Sequence, residues 1–84
     1  MSFEIYFFNK AAKFVKKLDK DTKERLKLSI DKLKTDPVPH DSVRVEGEQK
    51  TFRVRVGGYR ILYLISFKDR TITIVKIDKR ERVY

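Results

Sequence analysis

The chain has 84 residues and no cysteine, so one small domain over residues 1–84 must hold together without disulfides or thiolate metal sites. Its net charge of +9 is uneven: residues 1–49 hold 11 Lys+Arg against 9 Asp+Glu, residues 50–84 hold 10 against 3, and six of the eight arginines lie in that second part. No apolar run approaches the ~20 residues needed to cross a bilayer, and Met1-Ser2-Phe3-Glu4 lacks a signal-peptide charge pattern; no membrane role, a cytoplasmic location and an anionic partner are expected.

Residues 2–8 read as a strand, with Phe3, Ile5 and Phe7 on one face and Glu4 and Tyr6 on the other. Asn9 is the expected N-cap of a short helix running to about Leu18. Ala11, Phe14, Val15 and Leu18 make its buried stripe. Asp21 and Glu24 have the spacing of a capping box and are expected to open a second helix with Leu26, Ile30 and Leu33 as its apolar stripe. Asp36-Pro37-Val38-Pro39 stops it, because proline disfavours helix in the residue before it. The two helices read as an antiparallel hairpin. Residues 40–50 are polar, with Val43 and Val45 able to form a short strand or pack the loop down. Strands then follow over about 51–56, 59–67 and 71–77, and Asp78 onwards reads as a polar tail. The order predicts a two-layer α+β domain, β-α-α-β-β-β, with a mainly antiparallel sheet.

The central hairpin carries the chemistry. Gly57-Gly58 between two alternating runs is a two-residue turn, which sets Val56 opposite Tyr59 and Arg55 opposite Arg60. Side chains alternate along a strand, so Phe52, Val54, Val56, Tyr59, Ile61 and Tyr63 share the core face, and both tyrosines are expected to pack rather than stack on a ligand. Arg53, Arg55, Arg60, Leu62 and Leu64 occupy the reverse. Like charges directly opposite one another destabilise a sheet. The arrangement is useful where an anion sits, and guanidinium forks suit phosphate. A nucleic-acid backbone is therefore the expected ligand, and Lys50, Lys76, Lys79 and Arg82 are expected to extend the surface for RNA, with Lys76 depending on the length of the turn near Lys68-Asp69.

The remaining signatures are negative. The glycines form a hairpin turn and not a phosphate-cradling loop between strand and helix. A single histidine, His40, with no cysteine excludes the common zinc patterns. His40 is expected to be an ordinary surface residue, and no cofactor or metal is expected. Phosphoryl chemistry here would be metal-free. The ribose 2′-OH of RNA can attack its own phosphate, an intramolecular reaction that needs orientation, charge stabilisation and proton movement. Arg53, Arg55, Arg60 and Arg80 suit the second task. Arginine is a poor proton carrier because its pKa exceeds ~12, which leaves Lys79, Glu81 and Tyr84 as titratable candidates.

Gly58-Tyr59-Arg60-Ile61-Leu62-Tyr63, together with Lys79-Arg80-Glu81-Arg82-Val83-Tyr84, resembles the RelE/ParE toxin superfamily, and the ending resembles its RelE branch. The likeness covers nearly the whole chain. It implies a ribosome-dependent endoribonuclease that cuts messenger RNA in the ribosomal A site and is blocked by a cognate RelB-like antitoxin in a hetero-oligomeric complex. By the resemblance, Arg53 and Arg55 match two basic strand positions often held by lysine, and Arg60 matches the phosphate-contacting arginine after Gly-Tyr. Arg80 matches the basic residue ending the last strand, and Tyr84 the tyrosine near the C-terminus. Arginine at 53 and 55 departs from the pattern and removes a lysine-type general base. Two other functions use the same scaffold: a ParE-like inhibitor that binds a protein target such as a topoisomerase, and an RNA-binding module that does not cut.

Overall fold

The structure, a computed structural model, describes residues 2–45 and 50–79. The chain forms β1 (Glu4–Phe7), α1 (Asn9–Lys16), α2 (Lys20–Lys32), β2 (Val43–Arg44), β3 (Thr51–Val56), β4 (Tyr59–Ser66) and β5 (Thr71–Lys79). The five strands make one sheet in the order β1-β5-β4-β3-β2. Every pairing is antiparallel except that of β1 with β5. The α+β architecture expected from the sequence is therefore present, with the valine pair's loop contributing the two-residue β2.

The helices close over one face of the sheet. Ala11 of α1 and Leu26, Ile30 and Leu33 of the α2 segment are buried with Val54, Ile61, Tyr63, Ile65, Ile72, Ile74 and Ile77. Phe14 of α1 meets the Tyr59 ring edge-on, with centroids 6.0 Å apart. Phe52 stacks on Tyr63 at 5.9 Å. The Tyr63 hydroxyl donates to the Pro37 carbonyl at 2.9 Å and so ties the proline loop to the centre of the sheet. Desolvation, with the nearby Asp36 and Asp41 carboxylates adding to it, pushes the Tyr63 phenol up to about 12. Both hairpin tyrosines are packing residues, as their place in the alternation required.

Several local expectations are corrected. Asn9 is the first residue of α1 and Phe8 precedes it as N-cap, with no side-chain capping bond; the helix ends at Lys16, short of Leu18. The cap of α2 is Asp19, two residues before the Asp21 of the expected box. Its carboxylate accepts the Thr22 backbone N–H at 3.2 Å and the Thr22 hydroxyl at 2.7 Å. Those bonds favour the charged carboxylate and hold the Asp19 carboxyl below its ordinary value. Phe7 lies on the core side of an edge strand yet is 41% exposed. The last correction matters most: β5 continues to Lys79, so Asp78 and Lys79 belong to the sheet and not to the tail.

Candidate functional site

The face of the sheet away from the helices carries the cationic side chains, and the β3–β4 hairpin sets their positions. Arg55 pairs with Arg60 and Val56 with Tyr59, the register that a Gly57-Gly58 turn imposes. Gly57 has φ +61°. That is the left-handed region, and a two-residue hairpin turn of the II′ kind requires it at its first central position. Arg53 stands opposite Leu62. Arg55 is exposed, while Arg53 and Arg60 are half-buried. Leu64, further along the same face, is 37% exposed.

Strand β5 completes the face through a bulge. Tyr63 pairs with Ile74 but Leu62 pairs with Lys76, which leaves Val75 as an extra residue. One extra residue reverses the alternation. Ile72 and Ile74 point to the core before it, and Ile77 does so after it. Lys76 and Asp78 are thereby turned to the arginine side, opposite Leu62 and Arg60. This settles the placement of Lys76, which joins the basic face.

Asp78 changes the electrostatics of the cluster. Its Oδ1 accepts from Arg60 Nε at 3.2 Å and its Oδ2 from Arg60 Nη2 at 3.3 Å, a two-pronged pair. Lys76 Nζ lies 3.7 Å from the same Oδ2. The Arg60 and Asp78 side chains are 31% and 28% exposed, so the pair is partly shielded from solvent and from salt. Arg60 is therefore ion-paired, and the facing arginines are not left to repel one another unbalanced. The centre of the face still holds Arg53, Arg55, Arg60 and Lys76 against the one carboxylate that Arg60 and Lys76 share, an excess of positive charge. Asp78 is the site residue that sequence reasoning missed. The available signal was its place two residues after Lys76, a spacing that puts both on one face of a strand if the strand is carried past Ile77.

The other candidate residues are placed as follows. Lys50 precedes β3 and is exposed. Its backbone has φ +56° and is not extended, and it stands three residues before Arg53. Lys79 is opposite Tyr59, and paired residues share a face, so it lies at the edge of the helix side. Arg80, Arg82 and Tyr84, with Glu81, lie outside the described residues. His40 is exposed on the loop after Pro39. Among the described residues, no group of three or more His, Asp or Glu side chains is arranged to hold a metal ion, and no helix is long and apolar enough to cross a membrane.

What this arrangement can do is grip a phosphodiester. Three guanidinium groups and an ammonium on a half-apolar sheet face supply several N–H donors within one patch. Residues 5–84 match the family model described as ParE toxin of type II toxin-antitoxin system, parDE. A relative from Methanocaldococcus jannaschii bearing the name toxin RelE1 is 34% identical over 87 residues, covering 100% of this chain and 97% of the relative. Among solved structures, the archaeal RelE-RelB complex from Pyrococcus horikoshii superposes with a TM-score of 0.87 at 30% identity, covering 99% of this chain and 100% of that one. The isolated Escherichia coli RelE toxin superposes with a TM-score of 0.86, covering 96% of this chain and 87% of that one; at 20% identity it bears on the fold alone.

Proposed function

The chain belongs to the RelE/ParE superfamily and is a toxin of a RelBE-type toxin–antitoxin system; from that premise we propose that it is an endoribonuclease that cleaves messenger RNA in the ribosomal A site, without a metal ion. The observation that carries the reading is the helix-free face of the sheet, where Arg53, Arg55, Arg60 and Lys76 converge. In this reading the message phosphate lies against the guanidinium groups. The ribose 2′-oxygen attacks phosphorus and its proton is lost. The bond to the 5′-oxygen breaks and that oxygen gains a proton, leaving a 2′,3′-cyclic phosphate and a 5′-hydroxyl. Arg53, Arg55 and Arg60 stabilise charge gathering on the phosphate oxygens. The ribosome holds the codon, which supplies most of the orientation. Arg80 and Tyr84 are proposed to act at the same phosphate, Arg80 by charge and Tyr84 in orientation or proton transfer. Lys50, Lys79 and Arg82 are proposed to contact RNA further out. The reading places the protein in the cytoplasm, with ribosomal and messenger RNA as targets. A RelB-like antitoxin, bringing an acidic amphipathic segment, would neutralise the basic face and block it.

The family model's ParE description favours a second reading, inhibition of a protein target such as a topoisomerase with no RNA cleavage. A translating cell-free extract separates the two. Primer extension across a defined message should show toxin-dependent stops within codons, each at a 5′-hydroxyl end, with the upstream fragment ending in a cyclic phosphate. DNA supercoiling in a parallel topoisomerase reaction should be unaffected. Blocked supercoiling with an intact message would establish the second reading in place of the first.

A further inference from the structure

We propose that Asp78 is a built-in stand-in for the substrate phosphate: in the free protein it occupies the fork of Arg60, holds that side chain flat over the sheet, and must give way for RNA to bind. This rests on the phosphate-site reading of the open face. The geometry is that of anion recognition. Both carboxylate oxygens are engaged by one guanidinium, at Nε and Nη2, 3.2 and 3.3 Å away. This is the same parallel fork that binds two oxygens of a phosphate. Lys76 approaches one of those oxygens at 3.7 Å, as a second cation would approach a phosphodiester.

Two features of the chain place the carboxylate there. The bulge at Val75 turns Asp78 to the open face, and the register sets it directly opposite Arg60. Without it, Arg60 would face Arg55 with no carboxylate on its other flank. The pairing thus balances the sheet in the resting protein and keeps Arg60 extended and ready. It also sets a threshold, because a polyanion must compete with an intramolecular carboxylate. A weakly held, non-specific RNA fails in that competition, whereas a phosphate held by the ribosome against the whole face succeeds. Asp78 is a positioning and selectivity residue in this account, and it takes no part in bond-making.

The test measures binding of the purified protein to a short single-stranded RNA whose sugars carry 2′-O-methyl groups, which cannot be cut, over a series of salt concentrations. Asp78→Asn keeps the shape and removes the charge. It should bind roughly tenfold more tightly at low salt. Its log K against log salt should steepen by about 0.7, the slope of one more neutralised phosphate on a single strand. Asp69→Asn makes the same change of net charge in the β4–β5 turn, where Asp69 is held by Ser66, and it should change neither quantity by more than about twofold, the scale of a remote surface charge. In an Arg60→Ala background, Asp78→Asn should gain no more than Asp69→Asn does. Thermal unfolding of each variant confirms that it is folded, and Asp78→Thr, which also removes the charge, serves in place of Asp78→Asn if that variant unfolds. Equal gains from Asp78→Asn with and without Arg60, or a gain no larger than that of Asp69→Asn, would overturn the stand-in while leaving the phosphate site intact. If Arg60→Ala in the Asp78→Asn background binds this RNA as tightly as Asp78→Asn alone, the phosphate-site reading itself fails.

Discussion

The two faces of the one sheet do opposite work. Against the helices, Ile61, Tyr63, Ile72 and Ile74 are each 0% exposed, and their positions are fixed by burial. On the other face, residues from the same strands stand in a cationic patch around the Arg60–Asp78 pair. Tyr63 and Arg60, three residues apart on β4, belong to these two regimes. Tyr63 fills the core and bonds a loop carbonyl, whereas Arg60 is balanced by a single carboxylate. The difference teaches that β4 is both a structural beam and a tool, with period two separating the roles. It also shows why substitutions on the two faces have separable readouts.

The largest expected effect lies on the core face. Ile74→Ala removes a fully buried side chain and should cost ~2–5 kcal/mol. For a domain of this size that is a fall in thermal midpoint of about 10 °C or more. A fall below about 3 °C would mean that the helix face is not the stabilising layer. Next comes the arginine in the fork. Arg60→Ala should lower the single-turnover cleavage rate on programmed ribosomes by ~10²-fold, the size of a lost charge-stabilising donor. Its midpoint should fall only slightly, because Asp78 keeps Lys76 as a partner. An unchanged rate would remove Arg60 from the chemistry.

A smaller effect is expected where the faces meet the proline loop. Tyr63→Phe loses the bond to the Pro37 carbonyl and should cost about 1 kcal/mol. The phenol of the folded protein titrates near 12, above the ordinary tyrosine value of about 10. Its contribution is complete below pH ~10 and is lost as pH rises from there through about 12, because the unfolded chain gives up the proton first. Tyr63→Phe should flatten that part of the stability-against-pH curve. An identical alkaline slope in the variant would assign the loss to other groups. The smallest effect has the opposite sign. Arg55→Ala relieves a like-charge pairing with Arg60 and should raise stability by up to ~0.5 kcal/mol at low salt, with the gain shrinking as salt is added. A clear loss of stability would show that Arg55 makes a structural bond.

Much of this comparison was legible in the sequence. The alternation from Thr51 to Tyr63 and the two glycines fixed the register of the hairpin, and with it the membership of each face. The apolar stripe of α2 identified Leu26, Ile30 and Leu33 as core. What escaped was information that period and propensity do not carry. Asp19 and Asp21 are chemically equivalent as caps, and only the Thr22 hydroxyl and backbone N–H decide between them. Asp78 and Lys79 are polar, so hydrophobic periodicity falls silent where β5 continues. Their strand state comes from pairing with Arg60 and Tyr59 across the sheet. The bulge at Val75 likewise belongs to that pairing, since it lets Ile74 and Ile77 both reach the core. The expected bare arginine pair became a balanced one because of these two non-local features.

The most direct test pairs two readouts on one variant. Arg55→Ala should be assayed in a single preparation for thermal midpoint and for single-turnover cleavage of a message in the ribosomal A site. Arg55 is exposed and faces Arg60 with no part in the core, so the account predicts an equal or slightly raised midpoint with cleavage slowed by ~10²-fold. Undiminished cleavage at an unchanged midpoint would contradict the claim that the open face is where the phosphate is held.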